Sequence, residues 1–303
     1  MNLSNRIAWP SLGRCVLLVT SIVLGAGNVL GADDAKPQPA AKDAPAEPQP
    51  AAKDAPSGVR YLYKSNGTMI IYFDAIAISA GISGHKNLGT GADLDKPVTV
   101  NSGRKVLEDT PRTLMKKGEV DVWLTTDVAW AERPDLKEFG TAGLAGNPNF
   151  RLYQQARFLV EKPEERDNSK IADVQAALDK ARKRLEVRVD AINKEIGKPV
   201  VFIVPVGDAI VRLREMVVDG KFPGVTKQSE LFLSGSRGSI HVEKHANLLT
   251  AYCNYAAIYQ KSPVGLKLEM KEDITDEQHA ILQKLAWETV SQYPHAGLNG
   301  LKK

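Results

Sequence analysis

Cysteine is nearly absent from this chain. Among 303 residues there are two, Cys15 and Cys253. The first lies in an N-terminal stretch that reads as a cleavable leader, so the mature chain holds a single thiol and cannot form an internal disulfide. Export to an oxidising compartment permits disulfides without requiring them, and a domain of this size can do without one. A surplus of charge of one sign is missing too. Forty lysines and arginines stand against 36 acids, a formal charge of +4, too mild to argue for nucleic acid or for an acidic membrane surface. The apolar run CVLLVTSIVLGAGNVLGA near the N-terminus is shorter than the roughly 20 residues a spanning helix needs. Metal ligands are scarce as well. His241 and His245 have the i, i+4 spacing that faces one ion on a helix, but the zinc-protease pattern puts Glu directly after the first His, where Val242 stands. No further cluster of His, Cys, Asp or Glu completes a site, so neither metal nor cofactor is expected.

What is present divides the chain in three. MNLSNRIAWPSLGR carries Arg6 and Arg14 and no acid, the apolar run follows, and small residues Gly31 and Ala32 offer a cleavage point. This charged, apolar, small-residue order predicts a secretory signal over 1–31. Its removal takes away two positive charges and no acid, so +4 becomes +2. Residues 32–58 contain PQPAAKDAP twice and neither an aromatic nor, over 33–57, a β-branched residue. Such a segment buries too little apolar surface to offset the entropy of ordering, and an extended, disordered linker is expected. Residues 59–303 then form one domain. The expected location is secreted or periplasmic, with no stable membrane insertion once the signal is gone.

Within 59–303, short β-rich runs alternate with helical patterns. VRYLY (59–63), VTV (98–100), EVDVWLTT (119–126), NFRLYQQARFLV (149–160) and the continuous apolar run PVVFIVPV (199–206) read as strands. Helices are predicted at 69–81, stopping at Gly81; at 104–118, with Pro111 as a point of interruption; and at 208–220, 246–261 and 276–293. The clearest helix is 171–196, where Ile171, Val174, Leu178, Leu185, Val189, Ile192 and Ile196 recur at spacings near three and four, with Ala181 filling the gap. Gly197 stops it and Pro199 follows. Its other face carries Lys180, Arg182, Lys183, Arg184 and Arg188, read as a solvated face paired with Asp179, Glu186 and Asp190. The alternation predicts a three-layer α/β/α sandwich around a mostly parallel sheet. Ligands of such sheets sit beyond the carboxyl ends of the strands, which directs attention to the loops at 64–68, 101–104 and 125–130 and to the segment before the helix containing Tyr252.

Those loops hold hydroxyls and one histidine. Ser65 directly follows VRYLY; it is a nucleophile only if a base reaches it, and otherwise a turn or cap residue. Its loop also spells the sequon NGT at 66–68, relevant only in a glycosylating pathway. Ser102 and Gly103 offer backbone N–H groups to an oxyanion, or simply make a turn. Thr125, Thr126 and Asp127 are polar site groups or helix caps. His241 comes late in the chain, as the base of a Ser–His pair would, but Ser234–Ile240 contains no Asp or Glu to orient it.

The order VRYLYKS, AGISGHK (80–86), KKGEVDVWLTT, VVFIVPVGDAIVRLRE (200–215) and AYCNYAAIYQKSPVGL (251–266) resembles divergent, secreted SGNH (GDSL-type) hydrolase-like proteins of planctomycete-type bacteria, over about residues 59–266. The resemblance implies a flavodoxin-like sandwich and an esterase, lipase or carbohydrate deacetylase. It implies Ser65 as nucleophile, His241 as base and Gly103 as the oxyanion glycine. The chain departs from the pattern at three places. The usual Gly-Asn-Ser context of the serine is YKSN, the acid three residues before the histidine is Gly238, and the third-block Asn has no counterpart, with Thr125 and Thr126 at that strand end. Two functions are therefore expected as alternatives. One is a serine esterase acting on a small-molecule or polysaccharide ester. The other is an inactive relative that binds a glycan or a protein at the same crevice.

Overall fold

Among the described residues, seven strands make one mixed sheet in the order β4-β3-β2-β1-β5-β6-β7. They are β1 (Arg60–Lys64), β2 (Lys86–Thr90), β3 (Thr99–Val100), β4 (Lys105–Val106), β5 (Val122–Thr125), β6 (Arg151–Gln155) and β7 (Val201–Val204). In this computed structural model the described residues are 57–64, 72–91, 93–100, 105–125, 135–158, 161–233, 241–268 and 273–298, all within one compact unit, Ala52–Lys303. The five strands β2, β1, β5, β6 and β7 are parallel. Numbered among themselves they run 2-1-3-4-5, the doubly wound order whose switch point lies between the first and third. β3 and β4 add an antiparallel edge beside β2.

Side chains alternate across the sheet, as the period of two requires. Tyr61, Val122, Leu124, Tyr153 and Val204 face one core. It is shared with α1 (Phe73–Ser79), α5 (Val206–Val218), α6 (Lys244–Tyr259) and α7 (Asp276–Ser291). Leu62, Trp123, Leu152, Val201 and Ile203 face the other. That core is shared with α2 (Pro111–Lys116), α3 (Asp135–Gly146) and α4 (Ile171–Ile196). The architecture is the expected three-layer sandwich.

α4 has the boundaries read from its periodicity. Its buried stripe is Val174, Leu178, Ala181, Leu185, Val189 and Ile192. Gly197 at φ +84 ends it, turning its N–H back to Asn193 and Lys194 carbonyls, the left-handed C-terminal turn that favours glycine. On the polar face Arg182 pairs with Asp179, Glu186 and Asp208.

Three assignments need correction. The helix expected over 104–118 is two elements: Lys105–Val106 pairs with β3, and the helix begins at Pro111. Pro111 starts the helix rather than interrupting it, because its missing N–H is unused in the first turn, and Thr110 completes a capping box with Thr113. β2, in KNLGT, and α3, in a glycine-rich stretch, lie where no regular element was read.

α6 is buried on every side from His245 to Tyr259. A helix apolar all round belongs in the core rather than on the surface. It lies against the sheet between α1, α5 and α7, and its direction positions the site.

Candidate active site at the carboxyl edge of the sheet

α6 runs against the strands, and four contacts fix this. Gln155, the last residue of β6, donates from Nε2 to Asn254 Oδ1 at 2.9 Å. Earlier on the same strand, the Tyr153 hydroxyl donates to the Ala257 carbonyl at 3.1 Å and Arg151 to the Ile258 carbonyl at 3.0 Å. At the entry to β1, the Val59 N–H reaches the Tyr259 hydroxyl at 3.4 Å. As the strands ascend, helix numbers fall. The contacts touch both β1 and β6, so α6 straddles β5, which lies between them. Ten residues separate Asn254 from Lys244, about 15 Å of helix at ~1.5 Å per residue. The start of α6 therefore projects toward the carboxyl edge, on the side where β1 ends at Lys64 and β5 at Thr125, paired in register.

His241 lies three residues before α6 in a short antiparallel pairing. Val242 bridges Phe232. Leu233 N–H donates to the His241 carbonyl at 3.3 Å, and Glu243 N–H to the Leu231 carbonyl at 2.9 Å. His241 is half-buried, while Val242 is fully buried. Thr125 is buried at the end of β5. Ser65, Ser102, Gly103, Thr126, Asp127 and Gly238 lie outside the described residues.

His245 stands apart from His241. It belongs to the first turn of α6, is buried, and meets the Phe222 ring edge-on at a centroid distance of 5.3 Å. Burial, and then the neighbouring Lys244 charge, hold its imidazole below the usual histidine range. Among the described residues, no group of three or more His, Cys, Asp and Glu side chains converges as a metal site would.

A cleft of about 750 Å³ opens beside the His241 pairing, lined among others by Arg166, Phe232, Glu243, Lys244, His245 and Gln278. Its volume suits a ligand of drug-like size, within about 300–1,000 Å³. Both signs of charge line it beside apolar side chains such as Val225 and Leu233, so it offers hydrogen-bonding groups to a polar ligand. Arg166 and Gln278 carried no signal in the sequence: each is an ordinary polar residue locally, brought to the cleft by tertiary packing.

A hydroxyl–imidazole–carboxylate relay does exist among the described residues, but at the opposite edge. His85 Nε2 lies 2.8 Å from Asp74 Oδ1, and its Nδ1 lies 2.5 Å from the Tyr259 hydroxyl. Tyr61 O–H also donates to Asp74, at 2.6 Å. The pattern has the parts of an activated nucleophile, yet burial pushes the Tyr259 hydroxyl up to about 12, against nucleophilic use near neutrality. The relay joins β1, α1, the segment before β2 and the end of α6. Asn87 was not singled out in the sequence, but it donates to the second Asp74 oxygen at 3.2 Å.

No family model matches the chain. No curated protein matches it either. Among solved structures, a DUF4886 family protein from Bacteroides uniformis is similar at 12% identity, with a TM-score of 0.49, covering 79% of this chain and 96% of that one. Among the described residues, no helix is long and apolar enough to cross a membrane.

Proposed function

We propose that the chain is an SGNH-like serine ester hydrolase that removes acyl groups from carbohydrate. Ser65 is the nucleophile, His241 the general base and Gly103 an oxyanion donor. The observation that supports this reading best is the direction of α6. It brings His241 toward the edge where β1 delivers the chain to Ser65, one residue past Lys64. In the proposed reaction Ser65 Oγ attacks the ester carbonyl while His241 accepts its proton. The imidazolium then returns that proton to the departing alcohol. Water, deprotonated by the same histidine, releases the acid and restores the serine. The protein is proposed to act after export to the periplasm or the cell exterior, with 1–31 as its signal and 32–58 as a spacer.

Gly238 favours a second reading, a non-catalytic protein that binds a glycan or a partner at this crevice. No carboxylate stands three residues ahead of His241, and the residues around the serine also depart from the active pattern. Each missing oxyanion donor costs roughly a hundredfold or more in rate. Hydrolysis of p-nitrophenyl acetate by the wild type, Ser65→Ala and His241→Ala separates the two readings. A wild-type rate well above both variants is expected; equal rates in all three proteins would leave the binding module.

A further inference from the structure

We infer that Phe232, gripped by two arginines, is the positioning residue for His241; the inference rests on the reading of His241 as the base. The pairing that carries His241 is short. Among the described residues, two backbone hydrogen bonds, from Leu233 to His241 and from Glu243 to Leu231, hold it, and an isolated two-stranded pairing is marginal without packing against it. Its rigidity comes from what lies beneath. The Phe232 ring, almost fully buried, has the Arg166 guanidinium 4.4 Å and the Arg214 guanidinium 5.7 Å from its centroid. Phe158, just past β6, meets it edge-on at 5.3 Å. Such cation–ring contacts strengthen when water is excluded, and all three of these residues are buried.

The clamp is itself anchored. Arg214 on α5 donates to the Glu161 carboxylate at 2.5 Å and to the Gln228 side-chain amide oxygen Oε1 at 2.7 Å. Gln228 reaches on to the Ser169 carbonyl at 3.2 Å. Phe232 is thereby tied to the exit of β6, to α5 and to the 3₁₀ turns at Pro163–Asn168 and Gln228–Leu231. Side chains alternate along a β segment. With Val242 buried opposite Phe232, His241 next to it is turned to the other side, away from that core. A freed Phe232 lets Val242 shift, and the imidazole shifts with it. A displacement of about 1 Å in catalytic geometry can cost on the order of a hundredfold.

The test uses Phe232→Leu, Phe232→Tyr and Arg166→Met in the full chain. Ile192→Ala, on the far face of the sheet, serves as a control for general loss of stability. Each is assayed with p-nitrophenyl acetate and by the histidine ring carbon–proton resonances, with the His241 signal identified by its loss in His241→Gln. Phe232→Leu and Arg166→Met are expected to lower kcat roughly tenfold or more and to move the His241 signal. Phe232→Tyr, which keeps the ring, restores both, and Ile192→Ala changes neither. Wild-type kcat and an unmoved His241 signal in Phe232→Leu and Arg166→Met overturn the inference. If hydrolysis survives in His241→Ala, the reading of His241 as base fails. The ring signal then judges the clamp alone: a shifted signal in Phe232→Leu sustains it and an unshifted one overturns it.

Discussion

Gln155 at the end of β6 and Asn254 in α6 share a hydrogen bond of 2.9 Å, and both residues are almost wholly enclosed, 1% and 0% exposed. The contact fixes where along the strand the central helix sits, and so where its start emerges at the carboxyl edge. Asn254→Leu keeps similar bulk but leaves the Gln155 amide with its donor unmet, at about 1–3 kcal/mol. Gln155→Leu/Asn254→Leu removes both polar groups and is expected to cost less than the two single changes added together. Urea unfolding of the three variants measures this. Strict additivity would show that the two side chains do not depend on each other.

The relay at the opposite edge predicts a change that separates folding from activity. Tyr259→Phe removes the hydroxyl that meets His85 at 2.5 Å and Val59 N–H at 3.4 Å. Loss of such a buried partner costs about 1–3 kcal/mol. The relay lies at the amino end of the strands, remote from His241, so ester hydrolysis at saturating substrate should match wild type at a temperature where both are folded. A Tyr259→Phe protein as stable as wild type but inactive would place chemistry at the relay instead.

Acid should loosen the fold in two steps. His245 and His279 are both held below the usual histidine range by burial, with Lys244 adding to the effect on His245. The unfolded chain therefore takes up protons first as pH falls below about 6.5, and stability declines from there toward the lower folded values. Asp74 comes next. Burial acts to raise its carboxyl, but hydrogen bonds from His85, Tyr61 and Asn87 outweigh it and hold the group below the ordinary range. Its contribution is present above about 3.9 and is lost as pH falls through the lower folded value. Chemical unfolding followed from pH 7 downward reads both. His245→Gln should flatten the first decline and Asp74→Asn the second. An unchanged first decline in His245→Gln would assign that limb to other groups.

How far the sequence disclosed this molecule depended on how local the cause was. α4 was legible to the residue because its apolar stripe repeats every three or four positions and Gly197 supplies the stop. β7 was legible because a strand buried on both faces reads as an unbroken apolar run. β2 was not: KNLGT has almost no apolar content, and its pairing with β1 is what makes it a strand. Lys105–Val106 sits in a charged run that favours helix locally, and only β3 turns it into an edge strand. At the candidate site, His241 stood out as a histidine ahead of an apolar helix. The clamp around Phe232 did not, because Glu161 and Arg166 lie on the segment after β6 and Arg214 on α5, and they acquire their roles only when α5 folds back over the exit of β6.

That long-range ion pair yields the sharpest prediction. Arg214 is 1% exposed and Glu161 14%; Gln228 and the Arg166 carbonyl also accept from the guanidinium, but Glu161 carries the charge that balances it. Removing the carboxylate alone, as in Glu161→Ala, strands a guanidinium in the interior at about 3–5 kcal/mol. Glu161→Leu/Arg214→Met replaces the pair with apolar groups and is expected to recover most of that loss, because neither charge then has to be desolvated. Stability and positioning part company in this double variant. It regains its thermal midpoint but lacks one of the two cations on the Phe232 ring, so its kcat should stay below that of a wild-type protein of equal stability. Thermal unfolding alongside p-nitrophenyl acetate kinetics measures both. Full recovery of kcat together with the midpoint would show that Arg214 stabilises the fold without helping to hold His241 in place.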